Sequence, residues 1–317
     1  MIVTRRRIYL FRKKGEVFLE ETKKTSINIV FLVSAAITIA VVLWGIVSND
    51  SFAESANKLM QGLESNFSWL YLGVMLFFVL FCLALAFSKF GKIRLGTDDE
   101  KPEYSTISWF AMLFAAGMGI GLVFWGVAEP LSHYVNPMKG IEPQTAEAAS
   151  FSIRSCIMHY GLQPWACYAL MGLGLAYFQF RKKEPALVSN LFGTILSDKH
   201  KKGIPGKTID IYTTVLTVIG VATSFGMGCL QICGGLEYLF SIPNNMKTWI
   251  MVIGVICVIY LLSATSGIGK GVKILSNINL FLLVVLTIFI FIFGPTKEIV
   301  LYFLNGLKDY LINFFPD

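Results

Sequence analysis

Apolar residues run along this chain in seven long blocks, separated by shorter polar segments. The blocks cover residues 27–47, 69–88, 107–127, 150–178, 210–232, 249–264 and 278–294. A run of roughly 20 apolar residues is what an α-helix needs to cross the ~30 Å hydrocarbon core of a bilayer. One such block also fits a buried helix of a soluble protein, but seven together indicate an all-α integral membrane protein with about seven transmembrane helices.

Composition agrees with that fold class. Hydrophobic residues make up 55% of the chain and charged residues 15%, with a mean hydropathy of +0.64, whereas soluble domains carry about 25% charged residues. The longest internal connection, residues 181–207, is too short for a soluble domain, so we predict no enzyme module. The three histidines, His133, His159 and His200, are scattered along the chain, and we expect no catalytic or metal site. The six cysteines lie in or beside apolar blocks, where cysteine behaves as a small hydrophobe, and we expect neither disulfide nor metal.

The basic residues are distributed unevenly between alternate connections. With the N-terminus inside, the inner segments carry 21 lysines and arginines and the outer segments carry five. An excess of basic residues in cytoplasmic loops is the positive-inside rule of membrane proteins. The net charge of +7 therefore indicates a cytoplasmic N-terminus and not a nucleic-acid partner.

The third block contains three closely spaced glycines within the sequence SWFAMLFAAGMGIGLVFWGVAEP. Gly117, Gly119 and Gly121 weaken the helix at the middle of the membrane and allow close approach to the backbone. Transporters use such discontinuous helices to hold substrates and ions. Gly117 and Gly121 also fit the GxxxG helix-packing pattern, and spacing alone favours packing over a substrate site.

The fourth block carries three aromatic residues on about half of its helical surface, Tyr160, Trp165 and Tyr168. A quaternary ammonium group has no N–H to donate, so proteins hold it against aromatic faces. Considered alone, these residues are more typical of packing or of an interfacial aromatic belt.

Three ordered motifs give the chain a resemblance to a known family. They are AAGMGIG at 115–121 with FWG and EP following, HYGLQPWA at 159–166, and SGIGKG at 266–271 with LSN following. These motifs resemble the signatures of the betaine/carnitine/choline transporter family. The resemblance implies secondary active uptake of a quaternary-ammonium zwitterion, most of all glycine betaine, across the bacterial plasma membrane.

The resemblance also implies an inverted-repeat fold similar to that of leucine-type symporters. Residues 1–26 would form a basic cytoplasmic tail, 27–105 two peripheral helices, 106–296 the first five-helix repeat, and 297–317 a truncated extracytoplasmic segment. The second repeat would be absent. A homotrimer, as in the family, is expected, with the lipid bilayer as the other partner.

By the same resemblance, Gly117, Met118, Gly119, Gly121, Tyr160, Trp165 and Tyr168 would contact substrate. Choline-transporting members tend to carry aspartate at the position of Gly121, so glycine there favours a betaine. Sodium would be the coupling ion, with no other cofactor, and would use Thr217 in one site and Ala115 and Met118 in another. Val221, which offers no oxygen, stands where sodium-coupled relatives carry a second threonine.

Two hypotheses about the chain as a whole remain open. It is either part of a glycine-betaine-type symporter, inactive alone, or a stand-alone membrane protein that does not transport or that needs a second chain. The first is favoured because a binding site between repeats needs both of them.

Overall fold

The structure, a computed structural model, describes residues 2–13, 16–117, 119, 121–193 and 195–314. Side chains are not described for residues 2–27, Leu122 and Ile268. From residue 29 onward every regular element of the described part is helical. The α-helices are α1 Ile29–Val47, α2 Asn49–Phe87, α3 Thr106–Gly117, α4 Gly126–Val135, α5 Ala146–Tyr160, α6 Leu162–Ala176, α7 Val188–Leu191, α8 Asp198–Lys202, α9 Ile204–Phe240, α10 Met246–Thr265, α11 Lys273–Phe293 and α12 Thr296–Ile312.

Short segments of other helical types join some of these helices. A 3₁₀ turn covers Lys89–Lys92, and π-helical segments cover Gly121–Trp125, Tyr177–Arg181 and Ile268–Val272. The basic N-terminal tail forms two antiparallel strands, β1 Ile2–Lys13 and β2 Glu16–Ile27, with Ile2 opposite Ile27. The pattern of hydrophobic and basic residues did not indicate this hairpin.

Five of the described helical segments are long and apolar enough to cross a membrane, and the protein is a multi-pass membrane protein. They are Ile29–Val47, Asn49–Phe87, Ile204–Phe240, Met246–Thr265 and Gly269–Phe293. Large apolar side chains on them are exposed, such as Phe31, Phe281 and Phe293, as lipid-facing residues are. The predicted third and fourth blocks do not form single helices: the third divides into α3, a π-helical turn and α4, and the fourth divides at Gly161 into α5 and α6.

Helix α2 begins 20 residues before the predicted block at 69. Its 39 residues extend about 58 Å at 1.5 Å per residue, nearly twice the ~30 Å hydrocarbon core. The first half carries Asp50, Glu54, Lys58 and Glu64, and Lys58 pairs with Glu54 at 2.5 Å. Hydropathy alone could not reveal this half, because it is helical without being apolar.

The contacts divide the chain into two units, each described by itself. Unit 1 comprises Met1–Val74, Lys92–Thr97 and Leu170–Val221. Within it, Trp44 at the end of α1 meets Phe52 of α2 edge to face, with ring centroids 5.4 Å apart. Arg181 donates a hydrogen bond through Nη1 to the carbonyl oxygen of Gly96 at 2.9 Å. This bond joins the segment that follows α6 to the segment that follows α2.

Asp210 of unit 1 lies in the first turns of α9 and is buried. The residue is only 8% exposed. Its carboxylate accepts hydrogen bonds from the backbone N–H of Ser189 at 3.1 Å and from the Ser189 hydroxyl at 2.9 Å. A buried carboxylate is stable only with such partners, so Asp210 anchors the short helix α7 to α9.

Unit 2 comprises Met75–Gly91, Asp98–Ala169 and Ala222–Asp317. In it α5 packs against α4 and α12, and α11 packs against α3. Cys229 and Cys233 of α9 are buried with Val252 of α10 in a small apolar core. This unit contains the glycine stretch of the third block and the aromatic residues of the fourth.

Candidate functional site

The third block is interrupted at its glycine stretch. Helix α3 ends at Gly117, Gly119 lies in a bend, and a π-helical turn begins at Gly121. Met118, a predicted substrate and sodium ligand, lies outside the described residues. The break lies where the three glycines predict a discontinuity in the helix. Irregular backbone inside a membrane is tolerated only where protein or a water-filled cavity surrounds it.

Trp165 of α6 lies directly against Gly117. The Cη2 atom of its ring is 3.1 Å from the position that a Cβ atom at Gly117 would occupy, which is closer than ordinary van der Waals contact. Gly117 is therefore needed for the close approach of the indole to the α3 backbone. The third and fourth blocks, which the sequence connects only by motif, meet at this contact.

Tyr168 extends the aromatic surface beyond Trp165. The two ring centroids are 5.9 Å apart with an interplanar angle of 49°, and Tyr168 is 60% exposed. Two aromatic faces therefore stand side by side next to the broken helix. Such faces attract a cation by their quadrupole, and they need no hydrogen-bond donor on the ligand.

Tyr160 approaches the other end of the break. Its hydroxyl donates a hydrogen bond to the carbonyl oxygen of Gly121 at 3.3 Å, where the π-helical turn begins. Gln231 of α9 likewise donates through Nε2 to the carbonyl oxygen of Val123 at 3.1 Å. Side chains thus bond to backbone carbonyls within the interrupted segment, as a break inside a membrane requires.

Other polar contacts brace this region, and sequence reasoning missed them. Asn277 of α11 donates through Nδ2 to the Ser108 hydroxyl of α3 at 3.3 Å. Tyr310 of α12 donates to Gln163 Oε1 at 2.7 Å and is only 4% exposed. The segment 297–317, predicted as a truncated extracytoplasmic segment, contains most of helix α12, which packs beside the junction of α5 and α6.

The predicted sodium ligands are found in both units. Ala115 lines a cleft of about 380 Å³ in unit 2 with Ser276 and Asn279 of α11. Thr217 is in unit 1, where its hydroxyl donates to the carbonyl oxygen of Thr213 at 2.7 Å. The Thr217 hydroxyl oxygen, which is the donor in this bond, keeps its lone pairs free to bind a cation. Val221, one turn further, is 58% exposed and has no oxygen to offer.

Two of the three histidines, which the sequence shows far apart, converge on one carboxylate. Glu129 and His133 of α4 and His159 of α5 converge: His159 Nδ1 is 2.5 Å and His133 Nε2 is 3.6 Å from Glu129 Oε1. Their 26-residue separation conceals this contact, because the hydrophobic pattern does not show how α4 and α5 pair. Trp125, Ser132 and Tyr160 line the same cavity, of about 400 Å³.

Comparison with known proteins supports the resemblance seen in the motifs. Residues 29–317 match the family described as BCCT, betaine/carnitine/choline family transporter. The chain is 47% identical over 287 residues to the glycine betaine transporter OpuD of Bacillus subtilis (strain 168). The aligned region covers 90% of this chain and 56% of that protein.

Two further relatives agree. A probable glycine betaine transporter of Desulfitobacterium hafniense (strain Y51) is 45% identical, covering 90% of this chain and 58% of the relative. The ectoine/hydroxyectoine transporter of Virgibacillus pantothenticus is 42% identical, covering 92% and 58%. The chain thus spans a little over half the length of the curated relatives it matches. These relatives are transporters and not enzymes, and this chain belongs to the betaine/carnitine/choline transporter family.

Proposed function

We propose that this chain forms the substrate-binding wall of a secondary active transporter that takes up glycine betaine across the bacterial plasma membrane. The observation that carries the proposal is the contact of Trp165 with Gly117, beside Tyr168. It sets a half-buried aromatic ring, Trp165, and an exposed one, Tyr168, next to interrupted helical backbone. The trimethylammonium group of a betaine suits the aromatic faces, and its carboxylate suits the backbone N–H groups that an interrupted helix can offer.

Glycine betaine is the proposed substrate for two reasons. Gly121 stands where choline-transporting members tend to carry an aspartate. Choline has no carboxylate of its own and benefits from that aspartate, whereas a zwitterion such as glycine betaine does not need it, so Gly121 favours a zwitterion. Two of the relatives are themselves named glycine betaine transporters, one of them as probable. Ectoine and choline, named for other relatives, are the competing substrates.

Sodium is the proposed coupling ion. Its candidate ligands are Thr217 in one site and the backbone at Ala115 and Met118 in another. Hydroxyl and carbonyl oxygens are the ligands that hard cations prefer. An inverted-repeat arrangement, a cytoplasmic N-terminus and a homotrimer complete the proposal.

The test is uptake of radiolabelled glycine betaine by bacterial cells that lack their own betaine carriers. One strain makes this chain alone, and a second makes a hybrid in which the chain replaces the 287 matching residues of the Bacillus subtilis relative. The proposal expects sodium-dependent uptake by the hybrid that unlabelled glycine betaine suppresses more strongly than ectoine or choline. A membrane-inserted hybrid that takes up no betaine contradicts it.

The strain with the chain alone separates the proposal from the alternative. A wall without its partner elements is expected to show no uptake above the empty vector. Uptake by the chain alone, at a rate similar to the hybrid, would instead support a self-sufficient carrier, for example one that assembles from several copies.

A further inference from the structure

The cluster of Glu129, His133 and His159 offers three metal-ligating atoms at one point. One oxygen of the Glu129 carboxylate and one ring nitrogen from each histidine all lie within 4.8 Å of one another. Glu129 and His133 are one turn apart on α4, and His159 is at the end of α5, which packs against α4. The ligand set therefore joins two packed helices and is not a chance feature of one loop.

The two distances from the Glu129 carboxylate oxygen to the histidine nitrogens bracket the spacing of ligands around a tetrahedral ion. Zinc bound by imidazole nitrogen and carboxylate oxygen has bonds of about 2.0–2.2 Å, so its ligand atoms stand about 3.3 Å apart. The two distances from Glu129 Oε1, 2.5 Å to His159 and 3.6 Å to His133, lie on either side of that value.

The burial of the three side chains suits a bound ion with solvent access. The Glu129, His133 and His159 side chains are 14%, 28% and 47% exposed. The adjoining cavity of about 400 Å³, lined also by Ser132 and Tyr160, has room for a water molecule. Three protein ligands with a fourth, open position is the arrangement of zinc sites that exchange a ligand.

The donor set selects the class of metal. Two imidazoles and one carboxylate suit zinc and neighbouring first-row transition ions, whereas sodium, magnesium and calcium prefer oxygen ligands alone. His159 would bind through Nδ1 and carry its proton on Nε2, and His133 would bind through Nε2. The negative carboxylate offsets part of the charge of a divalent ion.

From these observations we propose that Glu129, His133 and His159 form a zinc(II) site, separate from the substrate and sodium ligands proposed above. It adjoins the substrate wall, because Tyr160 lines the same cavity and bonds to Gly121. Bound zinc would hold α4 and α5 together beside the interrupted third block. The inference does not depend on which osmolyte is carried, or on whether the chain carries one.

The test is direct zinc binding by the purified full chain in detergent, made with an affinity tag free of histidine and stripped with EDTA. Competition with a chromophoric zinc indicator is expected to give one zinc ion per chain. The variants His133→Gln and His159→Gln are each expected to weaken binding by more than about tenfold, since disturbing even the outer ligands of such sites costs 10–100-fold. His200→Gln is the matched control, because His200 bonds to Ser197 in unit 1, and it is expected to bind zinc like the unchanged chain.

A spectroscopic measurement distinguishes nitrogen and oxygen ligands from a cysteine sulfur ligand. Cobalt(II) in place of zinc is expected to show the visible absorption of a tetrahedral nitrogen- and oxygen-ligated ion. Cys156 lies on α5 three residues before His159, and Cys156→Ser is expected to leave that absorption unchanged. Helix content of each variant is compared by circular dichroism. Equal zinc binding by the unchanged chain and by a folded variant lacking both His133 and His159 would overturn the proposal. Cobalt–sulfur absorption that disappears in Cys156→Ser would overturn it too.

Discussion

The ring of Trp165 lies 3.1 Å from the position that a Cβ atom would occupy at Gly117. This one contact connects the glycine stretch of the third hydrophobic block to the aromatic residues of the fourth. The contact explains why position 117 is occupied by glycine, because a larger side chain would collide with the Trp165 ring. It also fixes the position of that ring beside α3. The proposed binding wall depends on it.

Substitution at Gly117 tests this contact. Gly117→Val is expected to destabilise the folded protein by about 1–3 kcal/mol, the usual range for overpacking, because the indole and the new side chain compete for the same space. Gly117→Ala is expected to have a smaller effect, since a shift of a few tenths of an ångström suffices. The measurement is the thermal unfolding midpoint of detergent-purified protein.

Gly126→Ala is the control for that series. Nothing lies within 4 Å of a Cβ atom built at Gly126, although this glycine is also close to the interrupted segment. Its unfolding midpoint is expected to stay near that of the unchanged chain. Equal midpoints for Gly117→Val and Gly126→Ala would show that the Trp165 contact is not formed.

The hydrogen bond from Tyr160 to Gly121 gives a second prediction. Tyr160→Phe keeps the ring and removes the hydroxyl, so the Gly121 carbonyl loses this partner. The expected loss of stability is about 0.5–1.5 kcal/mol, the net value of one such bond. Tyr212→Phe, at an exposed position of α9, is the control, and thermal unfolding is again the measurement. A lower midpoint for the control than for Tyr160→Phe would contradict the assignment.

Buried Asp210 gives a third prediction. Asp210→Ala leaves the backbone N–H and hydroxyl of Ser189 without their carboxylate and is expected to destabilise unit 1 by about 1.5–3 kcal/mol. Glu237→Ala removes an exposed acid from the other end of the same helix and is expected to change stability little. Proteolysis of the 181–207 connection under native conditions measures the difference. Equal cleavage rates in the two variants would show that Asp210 does not anchor α7.

The sequence predicts the spans well where a hydrophobic block is one helix. The blocks at 27–47 and 249–264 correspond to α1 at Ile29–Val47 and α10 at Met246–Thr265. The glycine triplet also predicts where the third block is interrupted, because glycine is the residue type that weakens a membrane helix. These features depend on local sequence alone.

The remaining features depend on contacts between distant residues. The polar half of α2 and all of α12 are helical without being hydrophobic enough to mark a span. Gln163, which has no evident role in the sequence, is the acceptor for Tyr310, 147 residues away. His133 and His159 meet only because α4 and α5 pack together, so their shared carboxylate could not be foreseen from spacing.

The most direct test of the account compares glycine betaine uptake by the hybrid transporter with and without the Trp165 ring. Cation–π contacts contribute about 0.5–2 kcal/mol, so Trp165→Ala is expected to raise the KM for glycine betaine by up to about thirtyfold. The KM of Trp165→Phe is expected to lie between those of the unchanged hybrid and of Trp165→Ala. Trp249→Ala, on α10, is expected to leave the KM unchanged. An unchanged KM in Trp165→Ala, at normal amounts of protein in the membrane, would contradict the central claim that this ring binds the substrate.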